Sequence, residues 1–140
     1  MRSRSLKSFS PFGALVLGAA LLYALNGAAA ELEQQSSQAN SVGISVKPVD
    51  VSATAKTWQF QATLTTHSGA LDDDLARTAT LVDAEGKQQA ALGWDGDPPG
   101  GHHRKGVLKF KALSPRPDAL EMRILRIGET AARTFRWKLK

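Results

Sequence analysis

From Val42 onward the apolar residues fall at every second position in short runs separated by turn formers, a spacing that builds strands and not helices. Val42, Ile44 and Val46 make the first run. Trp58, Phe60, Ala62 and Leu64 make the second, with Gln59, Gln61 and Thr63 on the opposite face. Ala79 and Leu81 begin a third, Ala84-Glu85-Gly86-Lys87 reads as a hairpin turn, and Ala90, Leu92 and Trp94 return from it. Leu108 with Phe110, then Leu120, Met122 and Ile124, then Phe135, Trp137 and Leu139 bring the total to about seven strands. One helical turn is expected near Leu71 to Arg77, where Asp72 to Asp74 would cap it. Short alternating strands spaced roughly 10 to 15 residues apart, in about 100 residues, predict an all-β, immunoglobulin-like antiparallel β-sandwich, with a small barrel as the alternative.

The start of the chain has a different character. Arg2, Arg4 and Lys7 precede an apolar run from Phe12 to Leu25, and Ala28-Ala29-Ala30 offers the small residues that signal peptidase needs. Residues 1–30 therefore read as a secretory signal peptide cleaved before Glu31, and the protein is expected in the periplasm or secreted. The rival reading is an uncleaved anchor in which residues 11–30 cross the inner membrane. Ser3 separates Arg2 from Arg4, so the twin-arginine signature is absent and the general export route is expected. Residues 31–41 (ELEQQSSQANS) are polar, show no apolar period and read as a flexible tether, which leaves 42–140 as the domain.

Removing the leader takes the basic residues from 18 to 15 against 13 acidic, so the net charge falls from +5 to +2. A domain so nearly balanced lacks the electrostatic footprint of a nucleic-acid binder, and no nucleic-acid partner is expected. The chain has no cysteine, which excludes disulfides, thiolate nucleophiles, thiolate metal sites and a lipidated lipoprotein cysteine. Any metal must be held by histidine, carboxylate, methionine or backbone oxygen.

The most informative stretch runs from Trp94 to Gly106, WDGDPPGGHHRKG, and reads as a loop too long for a simple hairpin. It holds His102 and His103, while the remaining histidine, His67, ends the Trp58 strand. Loops at one end of a sandwich cluster, so His67 meets His102 or His103 if its connection opens at the same pole. One reading is a transition-metal site, copper or zinc, formed by His67, His102 and His103 with Asp95 or Asp97 as oxygen ligand. The other is structural: Asp95 or Asp97 accepts hydrogen bonds from backbone amides or an imidazole and fixes a Gly- and Pro-rich loop without any ligand. Adjacent histidines in an extended segment point to opposite sides, so one of the pair faces away unless the glycines bend the loop.

Other candidates carry less. Asp72-Asp73-Asp74 lacks the D-x-[DN]-x-[DN]-G spacing of a calcium loop. Ser68 lacks a G-x-S-x-G elbow, so the chain is expected to be non-enzymatic. Met122, between Leu120 and Ile124, reads as core, as do Trp58 and Trp137, with Trp94 the least secure of the three because it abuts the loop. Lys109, Lys111, Arg123, Arg136 and Lys138 alternate with inward residues and are expected to form a basic face on one sheet, open to an envelope protein or anionic lipid. The competing reading is that these cations keep exposed strands soluble.

Thr66-His67-Ser68 with Leu71 and Asp74-Leu75, the run Trp94 to Arg104 with Gly106-Val107-Leu108, and Arg133-Thr134-Phe135-Arg136-Trp137 together resemble an uncharacterised family of small exported or membrane-anchored bacterial β-sandwich proteins. The likeness covers nearly all of the domain, and the long central motif is its most specific part. The resemblance implies placement in the envelope and names no activity. It takes in all three histidines, which adds to the metal reading.

Overall fold

The alternation is used up in two antiparallel sheets. A computed structural model describes residues 32–140, so the expected leader and its cleavage point lie outside the described residues. The elements in chain order are β1 (Gln35–Ala39), β2 (Val42–Asp50), β3 (Thr57–Thr66), α1 (Leu75–Thr78), β4 (Ala79–Val82), β5 (Gln88–Ala90), β6 (Gly93–Gly96), β7 (His103–Lys111), β8 (Ala119–Ile124) and β9 (Arg133–Lys138). One sheet has the order β1-β2-β3-β7-β6 and the other β5-β4-β8-β9. With β1 set aside, these are the A-B-E-D and C′-C-F-G orders of an immunoglobulin-like sandwich, and the expected all-β fold is the observed one.

The inward positions are those the period marked. Ile44, Val46, Trp58, Phe60, Leu64, Leu81, Leu108, Phe110, Leu120, Met122 and Phe135 are all buried. Phe60 stands edge-on to Phe110 with ring centroids 5.7 Å apart and lies 5.9 Å from the Trp137 ring, so the second, fifth and last apolar runs meet at one point between the sheets. Each such side chain contributes about 1.5–3 kcal/mol by leaving water, in a fold that has no disulfide.

Three expectations are corrected. First, the stretch read as a flexible tether holds β1, which pairs with β2 from Gln35↔Val46 to Ala39↔Val42. Asn40 and Ser41 sit between them with φ of 48° and 62°, the two positive values that a two-residue type I′ hairpin requires. The strand has no apolar side chain larger than the Ala39 methyl to reveal it. Its edge is held instead by side chains of β9: Arg133 donates to the Ala39 carbonyl (2.8 Å) and Trp137 Nε1 to the Glu33 carbonyl (2.7 Å). These bonds also blunt an edge that another strand would otherwise extend.

Second, the return run Ala90, Leu92, Trp94 is not one strand. The chain leaves the smaller sheet after β5 and enters the larger one at β6, so Leu92 falls at the crossing and is 66% exposed. This split and β1 raise the expected seven or so strands to nine. Third, Trp94 to Gly106 is mostly strand. Gly93↔Lys109 to Gly96↔Gly106 pair β6 with β7, leaving residues 97–102 as a hairpin turn. The expected helical turn is present as α1, but Asp74 at its start makes no side-chain capping bond. Among the described residues no helix is long and apolar enough to cross a membrane.

Candidate functional site

One pole of the sandwich gathers the β1–β2 turn, the segment from His67 to Asp74, the β6–β7 turn and the β8–β9 turn. Its geometry begins with a pair of glycines. Gly96 and Gly106 face each other on the inner side of β6 and β7, and a Cβ on Gly106 would stand 2.6 Å from the Gly96 Cα and 2.7 Å from the Trp94 ring. The bare backbone there lets the indole lie across both strands, where its Nε1 donates to the Asp97 carbonyl (2.8 Å).

Arg104 packs beside that indole. It shares the inward parity of Leu108 and Phe110, is only 1% exposed, and carries its guanidinium carbon 5.7 Å from the Trp94 ring centroid. Its Nη1 donates to the Leu71 carbonyl (3.1 Å) and the Asp73 carbonyl (2.6 Å), and its Nη2 donates to the Asp97 carbonyl (3.2 Å). No carboxylate pairs with it among the described residues; carbonyl dipoles and the indole face balance its charge. One buried side chain thereby ties the segment after β3 to the β6–β7 turn. Backbone bonds finish the seam, with Thr66 N donating to His102 O (2.9 Å), Leu71 N to Gly101 O (3.0 Å) and Gly100 N to Leu71 O (2.9 Å).

Two further arginines, Arg126 and Arg133, extend the lock across the pole. The fully buried Asp73 carboxylate accepts from Arg126 Nε (3.0 Å) and Nη2 (2.8 Å) through one oxygen and from Ile127 N (2.9 Å) through the other. Glu129 accepts from Arg133 Nε (3.0 Å) and from Asn40 Nδ2 (3.3 Å), while Arg133 Nη1 donates to the Val42 carbonyl (2.7 Å). The Arg133 hydrogen bond holds the Glu129 carboxyl below the usual glutamate range against the opposing effect of its burial. The polar network therefore runs from the β1–β2 turn to the β6–β7 turn.

The predicted ligands take up different positions around this lock. His67, His102 and His103 are all exposed. The Thr66–His102 bond brings the chain at His67 and His102 together, as the common-pole expectation requires, whereas His103 opens β7 opposite Thr65. Asp97 caps the turn, its Oδ2 accepting from Lys105 N (2.8 Å), which is the backbone-amide role of the structural reading. Asp95 pairs with Lys109 (3.3 Å) on the outside of the larger sheet. The five residues are not brought into one coordination group, because among the described residues no three His, Asp or Glu are placed to hold a metal ion.

The expected single basic face is divided. Lys109 and Lys111 lie on β7 in the larger sheet, Arg123 on β8 and Arg136 and Lys138 on β9 in the smaller one. Glu121 also stands between Arg123 (2.5 Å) and Arg136 (2.8 Å), and the bond from Arg136 keeps its carboxyl below the usual range. The residues that organise the pole, Arg104, Asp73, Arg126, Glu129 and Arg133, were not among the predicted ones; the signal for Arg104 was its inward parity. Searches of family models, curated proteins and solved structures found no match to this chain.

Proposed function

We propose that the chain is an exported, non-enzymatic binding module of the cell envelope, and that the locked pole is its recognition surface for a protein partner. The observation that carries this reading is Arg104. A buried guanidinium without a carboxylate is a poor way to gain stability, yet here it fixes two connections while His67, His102, His103 and Asp72 face solvent. Rigid loops that present exposed polar groups lose little conformational entropy on association. The envelope placement rests on the signal-like leader and on the family the chain resembles.

A photo-crosslinking side chain placed at His102, and separately at Leu92 as a distant exposed control, tests the reading in the native envelope. A discrete adduct from position 102 and none from position 92 is expected. Equal or absent labelling at both refutes it.

The copper or zinc reading keeps one supporting observation, the proximity of the chain at His67 and His102. It predicts one tightly bound Cu(II) or Zn(II) per chain by titration calorimetry, lost in His102→Ala. The protein-recognition reading predicts no such stoichiometric site and unchanged crosslinking after chelation.

A further inference from the structure

The opposite pole holds an open cleft of about 630 Å³, which is within the size range of small-molecule sites. It exists because β1 is shorter than β2: pairing starts at Gln35↔Val46, so β2 from Lys47 to Asp50, paired with β3 on one side, has no strand on its β1 side. A register shift between Pro48 and Asp50 turns Val49 outward, where it is 57% exposed. Leu32, Pro48, Val49, Val51 and Leu139 supply the apolar lining. Arg116 joins the two walls, its Nε donating to the Val51 carbonyl (2.8 Å) and its Nη1 to the Leu139 carbonyl (3.1 Å).

The charge on this cleft is lopsided. Lys47, Arg116, Lys138 and Lys140 line it against the single carboxylate of Asp50. Lys140 reaches Asp118 (2.6 Å), whereas Lys138, at the exposed end of β9, has no ion pair among the described residues. An apolar trough with an unpaired ammonium at its lip is complementary to a molecule with an apolar tail and an anionic head. We infer that this cleft binds a free single-chain anionic amphiphile, the tail lying along Val49, Val51 and Leu139 and the carboxylate or phosphate head meeting Lys138. The inference is independent of the partner-binding reading, which concerns the other pole.

Titration of the exported protein with octanoate, decanoate and laurate, each below its micelle concentration, tests it. The expected result is one site per chain whose Kd tightens about fourfold for each methylene that becomes buried. Val49→Asp is expected to weaken laurate binding at least tenfold and Lys138→Glu several-fold. Leu92→Asp, which removes an equally exposed apolar side chain elsewhere, leaves it unchanged. Both cleft positions are exposed, so circular dichroism should show folded variants. Lauroyl lysophosphatidylglycerol compared with laurate distinguishes the head group, and tighter binding of either supports the proposal. No binding by any of them, as occupancy by the chain's own amino-terminal segment would produce, overturns it. So does affinity independent of tail length, equal loss in Leu92→Asp, or binding only to phosphatidylglycerol vesicles.

Discussion

Replacing Arg104 with methionine keeps most of the buried volume and removes the side-chain hydrogen bonds that join the two central connections of the locked pole. The three carbonyls it serves do not suffer equally. The Leu71 carbonyl keeps Gly100 N as a donor and the Asp97 carbonyl keeps Trp94 Nε1, but the Asp73 carbonyl has no second donor among the described residues. One orphaned buried carbonyl costs about 1–3 kcal/mol, and each lost bond to a charged donor is worth about 1.5–3 kcal/mol. Against these stands the relief of no longer burying a guanidinium without a counter-ion. The net is a loss of about 3 kcal/mol. At the size of this domain about 1 kcal/mol moves Tm by roughly 4–5 °C, so Arg104→Met should melt about 12–15 °C below the parent.

Amide hydrogen exchange separates this local account from general weakening. Thr66, Leu71 and Gly100 donate the backbone bonds of the seam, and their protection should fall far more than that of Leu64 or Met122 in the paired strands. A Tm within about 4 °C of the parent, or seam amides as protected as before, refutes the reasoning that Arg104 locks the pole.

Other perturbations follow from the same geometry. Asp73→Ala leaves the nearly buried Arg126 only the longer ion pair with Glu129 (3.8 Å) and should cost about 3 kcal/mol in urea unfolding, while the double variant with Arg126→Met loses less than the sum of the single ones. Gly106→Ala drives a Cβ into the Gly96 backbone and should cost about 1–3 kcal/mol, with Trp94 fluorescence shifting to the red as the indole is displaced. Because Glu129 has a folded pKa below the ordinary 4.5, its contribution is fully present above that value and is lost as pH falls below it. Urea midpoints should therefore drop as the pH falls below 4.5 in the parent and much less in Glu129→Gln, which starts lower at pH 7.

What could be read from the sequence was what a period-two pattern carries: which residues of a strand share a side. That rule found the core of β2, β3, β7, β8 and β9, and it also places Arg104 inward, since 104, 106, 108 and 110 alternate without interruption. An arginine beside two histidines has the look of a surface group, yet an inward cation at a strand end has carbonyls to meet. Parity says nothing about sheet membership. Lys109 and Arg136 both point outward, yet the chain crosses between sheets after Lys111, so two outward faces are opposite surfaces of the molecule. Nor does an apolar period detect a strand made of Gln, Ser and Ala; β1 was announced only by the turn-forming Asn40, and its stability depends on donors from β9, 94 residues later in the case of Arg133 and Ala39. The histidines were harder for the same reason. Proximity of His67 and His102 is a consequence of the turn from Asp97 docking on the segment after β3. That docking is set by Arg104, Gly96 and Gly106, inward residues that decide where the exposed groups stand.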